Sequence, residues 1–174
     1  DLSPSCVEAC EQRFTEQKHA RFATTSGSEL LAAKDRSITF ACSWDSLVHA
    51  DATVLGAYLQ ELARVLKPGA FAFLHHSNLA EYVDAATGKL TVENVHWRDA
   101  TVSATSVAEA AAAAGLRVRV QELVQWGVGF YSDCFTLLEL PSESAAPVEP
   151  RLLHPGWNEE MALTRSLSES YWQL

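Results

Sequence analysis

Apolar residues recur at helical spacing in the second quarter of the chain, and a short apolar run follows them. Between residues 52 and 66 these positions predict a helix with one buried face: Val54, Leu55, Tyr58, Leu59, Leu62, Val65 and Leu66. Asp51 can cap the start of this helix. Lys67-Pro68-Gly69 ends it, because proline cannot continue a helix and glycine turns freely.

The apolar run over residues 70–74 predicts a strand that is covered on both faces, as in parallel sheets. In open α/β sheets, ligands bind beyond the carboxyl ends of the strands. His75, His76, Ser77 and Asn78 follow this run, so polar and titratable side chains stand where a ligand would bind.

The remaining pattern alternates helices and strands. It predicts helices over residues 4–14, 79–85 and 106–114, a helical turn over 30–33, and strands over 21–24, 38–42, 116–124 and 134–140. We interpret residues 1–141 as one core domain, residues 142–157 as a linker rich in Ser, Pro and Glu, and residues 158–174 as an amphipathic terminal helix. That helix packs on the domain in our preferred interpretation; covering the active site or contacting a partner subunit are the alternatives.

Four segments resemble the class I (Rossmann-like) S-adenosylmethionine-dependent methyltransferases. RVLKPGAFAFLHHSN resembles the helix and fifth strand of that family, with Ala70 in place of its second glycine. DLSPSCVEAC resembles the acidic end of the second strand, RFATTSGSEL the third strand, and SITFACSWDSLVHAD the fourth. The DSLVH and HHSN segments together resemble a subgroup that acts on small molecules, including sugars and natural products.

The resemblance implies an α/β fold: a mostly parallel Rossmann-like sheet with helices on both faces and an antiparallel last strand. It also exposes a departure, because the glycine-rich loop of the family precedes the acidic residue and no GxGxG occurs in this chain. The first strand is therefore missing here, and we interpret the chain as part of a longer protein. Residues 1–174 alone are expected to bind the cofactor weakly or not at all.

The resemblance implies S-adenosylmethionine as cofactor and S-adenosylhomocysteine as product. Asp1 would accept hydrogen bonds from the ribose hydroxyls, although the same geometry serves NAD enzymes, and Leu2 would pack against the adenine. Ser26 stands where many relatives carry an acid. The implied cofactor-binding set is Asp1, Leu2, Ser26, Gly27, Ser43, Trp44 and Asp45.

The histidines are the candidate general bases, since an imidazole can take the proton of a hydroxyl acceptor near neutral pH. Neighbouring strand residues point to opposite faces, so His75 and His76 do not act together. We favour His76, then His49, with His75 as the third candidate. The expected lining of the acceptor site is His96, Trp97, Trp126, Tyr131 and Asp133.

The sequence thus predicts an enzyme that methylates a small molecule, at a hydroxyl rather than a nitrogen. A nicotinamide-dependent oxidoreductase is the first alternative, although the chain has no Tyr-x-x-x-Lys pair. A metal-dependent enzyme using His49, His75, His76, Asp45 and Asp133 is a second, but their spacing matches no HExxH or HxH pattern, and no metal is expected. A catalytically inactive scaffold is the third.

The amino-acid composition limits the kinds of partner and cellular compartment that we expect. The net charge of −9 argues against binding nucleic acid, which needs clustered Lys and Arg. The four cysteines form no CxxC pair and fit buried thiols in a reducing cytoplasm. No apolar run approaches the length of a membrane span. We expect a cytoplasmic protein with a small-molecule acceptor, and a homo-oligomer is compatible with the sequence.

Overall fold

Four helices and five strands make up the part of the chain that this computed structural model describes, residues 1–142 and 150–171. The helices are α1 (Pro4–Arg13), α2 (Ala52–Val65), α3 (Ala104–Ala113) and α4 (Trp157–Tyr171). The strands are β1 (Ile38–Ser43), β2 (Leu66–Ser77), β3 (Arg117–Val124), β4 (Asp133–Glu139) and β5 (Arg151–His154). Short 3₁₀ turns lie at Leu47–His49 and Leu79–Tyr82.

The strands form one sheet in the order β1-β2-β4-β3-β5. β1 pairs parallel with β2, and β3 pairs parallel with β5. β4 runs antiparallel to both of its neighbours, with Ser77 of β2 opposite Asp133. The α/β, Rossmann-like fold class is therefore confirmed, including the antiparallel pairing of the two strands predicted over residues 116–140.

The main core lies between one face of the sheet and helices α2 and α3. Its buried side chains include Leu55, Leu59 and Leu62 of α2, Val107 and Ala111 of α3, and Ala72, Leu74, Val118 and Leu138 of the sheet. The α2 residues are those that the helical spacing predicted. Because burying each leucine side chain stabilises the fold by about 1.5–3 kcal/mol, this face decides where α2 packs.

The helix starts follow from local hydrogen bonds. Asp51 caps α2, and its side chain accepts a hydrogen bond from the Val54 N–H at 2.8 Å, as predicted. Ser3 caps α1 with Pro4 in the first turn. α3 begins earlier than predicted because Ser103 and Ser106 form a reciprocal capping box.

Strand β2 is longer than the apolar run that predicted it. It extends to Ser77, so both neighbouring histidines lie inside the sheet rather than beyond its end. Gly69, at φ +80°, lies near the start of β2, and its N–H donates to the Leu140 carbonyl at 2.7 Å. This extension decides the environment of His75 and His76.

Residues 21–24, predicted as a strand, are not one in the structure. Two hydrogen bonds remain around Thr24: the Asp1 amino group donates to the Ala23 carbonyl at 3.0 Å, and the Thr25 N–H donates to the Asp1 carbonyl at 2.8 Å. This is the arrangement of a single parallel bridge. The segment is extended and held beside Asp1, but it does not join the sheet.

The segment predicted as a linker contains a strand. β5 lies within residues 142–157 and adds a parallel edge to β3, with Leu152 opposite Glu122, so the linker prediction is wrong there. Arg-Leu-Leu-His has no alternation of polar and apolar residues, so the sequence did not signal a strand; pairing with the open edge of β3 decides it. Residues 143–149 of that linker, and residues 172–174 of the predicted terminal helix, lie outside the described residues.

Candidate active site

A cavity of about 770 Å³ opens at the carboxyl end of β1, beside α2. Its volume is in the range of small-molecule and cofactor sites. The residues that line it come from four separate segments: Asp1, Leu2, Thr25, Ser26, Gly27, Leu30, Ala41, Cys42, Ser43, Ser46, Leu47, His49, Ala50, Val54, Tyr58, Leu62 and Leu74. Six of the predicted functional residues are among them: Asp1, Leu2, Ser26, Gly27, Ser43 and His49.

One wall of the cavity is formed by the chain around Asp1 and Gly27. The Asp1 carboxylate accepts a hydrogen bond from the Ser3 N–H at 2.8 Å and remains exposed. Leu2, with 65% of its surface exposed, packs against Gly27 so closely that a Cβ at Gly27 would lie 2.8 Å from Leu2 Cδ2. Gly27 also has φ +96°. Only glycine fits here without moving Leu2.

A charged cluster fixes the loop that carries Leu30. Glu61 of α2 accepts a hydrogen bond from the Leu30 N–H at 2.8 Å and pairs with Arg64 at 2.7 Å. Arg64 also donates to the Leu30 and Ala33 carbonyls. The hydrogen bonds from Arg64 and Leu30 lower the pKa of Glu61 to about 2. The cavity wall at Leu30 is therefore tied to α2 by a carboxylate that stays ionised.

The three residues after β1 that were predicted to bind the cofactor lie in different environments. Ser43 lines the cavity, and its buried Oγ has no hydrogen-bond partner among the residues that the structure describes. Trp44 instead lies against Phe73 and Phe135. Asp45, at φ +49°, pairs with Arg98 at 3.0 Å. Of these three residues, only Ser43 lines the cavity.

His49 is the one candidate base that lines this cavity among the described residues. Its Nδ1 lies 2.8 Å from the Trp97 carbonyl oxygen. A carbonyl only accepts, so Nδ1 carries the proton and Nε2 of the neutral ring holds the lone pair. Trp97 has φ +51°, an uncommon backbone conformation for a large residue. His49 is held in the tautomer that a general base requires.

His76, our preferred base, is fully buried and outside the cavity. Its Nδ1 donates to the Ser77 carbonyl at 2.8 Å, and Nε2 lies 2.8 Å from the Thr136 hydroxyl. Burial lowers the pKa of His76 to about 4. Because β2 continues past His76, the side chain enters the core face of the sheet.

His75 points to the other sheet face, as alternation predicts, and is also fully buried. Its Nδ1 accepts a hydrogen bond from the Asp45 N–H at 3.1 Å, and Nε2 donates to Asp133 at 2.8 Å. Arg98 donates to the same Asp133 oxygen at 2.9 Å. Both ring nitrogens are used inside the protein, so His75 does not fit the role of base either.

The predicted acceptor residues separate into three environments. His96 and Trp126 line a second cavity, of about 420 Å³, with Gly127, Trp157, Asn158 and Met161. The side chain of Trp97 is exposed, and its carbonyl holds His49. Tyr131 packs against Leu123 and Cys134, and Asp133 is buried in the ion-pair network. Tyr131 and Asp133 line neither of the two cavities.

Sequence reasoning missed Arg98, Tyr58 and Trp157. Tyr58 lines the first cavity from the apolar face of α2, where its spacing signalled only packing. Arg98 lies in an irregular loop without a motif, and its ion pairs join residues far apart in sequence. Trp157 begins α4, and the single signal for it was its position before an amphipathic helix.

Metal binding and membrane insertion are the two other properties to consider. Among the described residues there is no group of three or more His, Cys, Asp or Glu side chains arranged to hold a metal ion. None of the helices in the described ranges combines the length and the apolar character that crossing a membrane requires.

Comparison with known proteins supports a methyltransferase relationship. A family model described as a methyltransferase domain matches residues 1–69, which is less than half of the chain but includes most of the first cavity. No curated protein sequence was found to match. Solved structures match over most of the chain, at identities that establish the fold alone.

Three of these structures illustrate the range. An S-adenosylmethionine-dependent methyltransferase from Methanosarcina mazei is 15% identical, with a TM-score of 0.58 over 82% of this chain and 81% of that one. The [4+2]-cyclase SpnF is 14% identical, with a TM-score of 0.61 over 82% and 65%. A structure concerned with disulfide-to-thioacetal conversion in echinomycin biosynthesis is 16% identical, with a TM-score of 0.55 over 97% and 71%.

The sheet order, the cavity at the end of β1 and these matches agree. The chain has the Rossmann-like fold of class I S-adenosylmethionine-dependent methyltransferases, and residues 1–69 match the methyltransferase domain.

Proposed function

We propose that this protein transfers a methyl group from S-adenosylmethionine to a hydroxyl of a small molecule, with His49 as general base. The observation that carries the proposal is the hydrogen bond from His49 Nδ1 to the Trp97 carbonyl. It leaves Nε2 as the proton acceptor of a side chain that lines the cavity. The histidine we preferred from sequence, His76, is replaced in this role by the second candidate.

The first cavity fits the proposed cofactor. Asp1 offers an exposed carboxylate for the ribose hydroxyls, and the Leu2–Gly27 contact makes a flat apolar wall for an adenine. Ser43 Oγ, buried without a partner, is free to bond a polar group of the ligand. When bound, the cofactor supplies a methyl group on a positively charged sulfur, which is transferred without a covalent enzyme intermediate.

His49 then has a defined task. The acceptor hydroxyl would give its proton to His49 Nε2 while the C–O bond forms and the bond from the methyl carbon to the sulfonium sulfur breaks, leaving S-adenosylhomocysteine. The Trp97 carbonyl would hold the resulting imidazolium through Nδ1. A positioned base of this kind contributes about 10²- to 10⁴-fold to rate. An amine acceptor needs less help from a base, which is why a hydroxyl is preferred.

The fold by itself leaves other activities open. The match to the [4+2]-cyclase SpnF is a likeness of fold to a protein named for a different reaction. The test must therefore measure both cofactor binding and methyl transfer.

The first experiment is a calorimetric titration of S-adenosylhomocysteine into the full-length protein. We expect micromolar binding, and Asp1→Ala should weaken it by about tenfold, the loss of one charge-assisted hydrogen bond to a ligand. A folded full-length protein that does not bind S-adenosylhomocysteine contradicts the proposal.

The role of His49 is tested by His49→Gln, with the exposed His19→Gln as control. Turnover, measured as S-adenosylhomocysteine formed with a panel of hydroxyl acceptors, should fall by about 10²-fold or more, with cofactor affinity unchanged. His19→Gln should have no effect. Full activity of His49→Gln across pH 6 to 9 would exclude it as the base.

A further inference from the structure

The second cavity lies between the loop after β3 and the start of α4. Trp126 and Gly127 line it from the loop, Trp157 and Met161 from the helix, and His96 from the segment before α3. Its volume of about 420 Å³ is enough for a small molecule. Most of this lining is aromatic or aliphatic.

Both sides of the cavity are held in place. The Asn158 side chain accepts a hydrogen bond from the Gly127 N–H at 2.9 Å and donates to the Val128 carbonyl at 3.1 Å. Trp126 and Trp157 stack with ring centroids 5.6 Å apart, and Trp157 contacts Phe135 of β4 edge-on at 5.1 Å. The cavity is therefore preformed, which reduces the entropy lost when a ligand binds.

Three consecutive residues join this cavity to the proposed base. His96 lines the second cavity, the Trp97 carbonyl holds His49 of the first, and the Arg98 guanidinium lies 5.7 Å from the centre of the Trp126 ring. A second link is Trp44, which follows Ser43 of the first cavity and contacts the Trp126 ring at 5.9 Å. A ligand seated against Trp126 is thus next to the elements that position His49.

We propose that the second cavity binds the planar aromatic ring of the methyl acceptor, so that a hydroxyl on that ring system is presented toward His49. The acceptor class is then a phenol or naphthol rather than a sugar. This inference rests on the proposed function for the identity of the reaction, but the ring site itself can be tested by binding alone.

The cavity offers few polar groups that could bond the hydroxyls of a sugar. Both polar atoms of the Asn158 amide are already used by the loop backbone, which leaves the His96 imidazole and the indole N–H donors of Trp126 and Trp157 as the remaining polar groups of the lining side chains. A sugar would lose the hydration of several hydroxyls and find few replacement partners, at about 1–3 kcal/mol for each hydroxyl left unpaired. A flat apolar ring loses little hydration and gains stacking with tryptophan.

The experiment compares two probes of similar size on the full-length protein. 2-Naphthol is planar and aromatic, and decahydro-2-naphthol carries the same hydroxyl on a saturated, puckered frame. Affinity is measured by calorimetry, with and without S-adenosylhomocysteine. The variant Met161→Lys places a charge in the cavity lining, and Leu163→Lys, on the same helix but outside the lining, is the matched control.

We expect 2-naphthol to bind at least fivefold more tightly than its saturated analogue. Met161→Lys should weaken 2-naphthol at least fivefold without changing S-adenosylhomocysteine affinity, and Leu163→Lys should change neither. Equal affinity for the two probes, equal effects of the two lysine variants, or displacement of 2-naphthol by S-adenosylhomocysteine would overturn the proposal. Naphthol binding without S-adenosylhomocysteine binding would retain the ring site and reject the methyltransferase function; the reverse result would reject the ring site alone.

Discussion

The end of β1 and the end of β2 carry similar polar residues, but their hydrogen bonding differs. Side chains at the end of β1 keep polar atoms available to a ligand, whereas groups at the end of β2 form hydrogen bonds within the protein. At the end of β1, Ser43 Oγ is buried without a partner and His49 keeps Nε2 available. At the end of β2, Ser77 donates to the Asp99 carbonyl at 2.6 Å, and His75 uses both of its ring nitrogens. The difference separates groups available to a ligand from groups that hold the fold together.

The same contrast separates the three candidate histidines. His75 and His76 carry more polar neighbours in sequence than His49 does, and both are completely buried. A buried histidine whose hydrogen bonds are all internal has nothing left with which to take a proton from a ligand. Availability of one nitrogen, not position at a strand end, distinguishes the candidate base.

Removing the centre of the β2 network should have the largest effect. Asp133→Ala would leave the buried Arg98 with the single partly exposed partner Asp45, so we expect a loss of about 3 kcal/mol in the free energy of unfolding. Asp35→Ala removes an exposed carboxylate from Arg64 and should cost less than about 1 kcal/mol. Urea unfolding measures both, and equal losses would show that the buried network is not structural.

The second-largest effect should be the pH dependence of stability that His76 causes. Burial lowers its pKa from 6.5 to about 4, so between these values the unfolded chain binds a proton that the native protein does not. Stability therefore falls on acidification, by up to about 3 kcal/mol from this group. Between pH 7 and pH 4, the free energy of unfolding measured in urea should therefore fall by about that much less in His76→Gln than in the unmodified protein. Parallel pH profiles of the two proteins would contradict this prediction.

A pair of serines tests the comparison most directly. Ser77→Ala should cost about 1–2 kcal/mol of stability, because it leaves the Asp99 carbonyl and Leu79 N–H without their partner. Ser43→Ala removes no hydrogen bond and should leave stability unchanged while weakening S-adenosylhomocysteine several-fold. Thermal melts measure the stability of both variants, and calorimetry measures their binding of S-adenosylhomocysteine. A Ser43→Ala variant that is destabilised but binds normally would show that Ser43 is structural and does not bind the ligand.

The smallest effect is expected where α4 meets β5. The hydrogen bonds that His154 donates to the Glu160 and Glu122 carboxylates raise its pKa above the usual 6.5. The resulting stability is complete below that value and is lost as pH rises through the raised pKa. Because the carboxylates are partly exposed, the change in Tm should be small, and it should be absent in His154→Gln when melts are compared from pH 6 to pH 9.

Much of the fold was predictable from local pattern. The spacing of apolar residues located α2, Asp51 located its start, and the run after Gly69 located the central strand. β5 was not predicted, since it is a strand only through its pairing with β3. Residues 21–24 show the converse: their composition predicts a strand, but they make a single bridge with Asp1.

The candidate site was predicted in part. Asp1, Gly27, Ser43 and His49 do meet at one cavity, as the order of the motifs indicated. Arg98 could not be found, because its partners Asp45 and Asp133 are 53 and 35 positions away in the chain. Spatial proximity of that kind leaves no periodic trace in a sequence.

The sequence by itself determined the α/β class, the main helices and the edge of the sheet where polar groups collect, since helix period, capping and strand alternation are local properties. The tertiary structure alone decided which of those polar groups remain available. That outcome depends on burial and on hydrogen-bond partners distant in the chain: Thr136 for His76, Asp133 for His75, and the Trp97 carbonyl for His49.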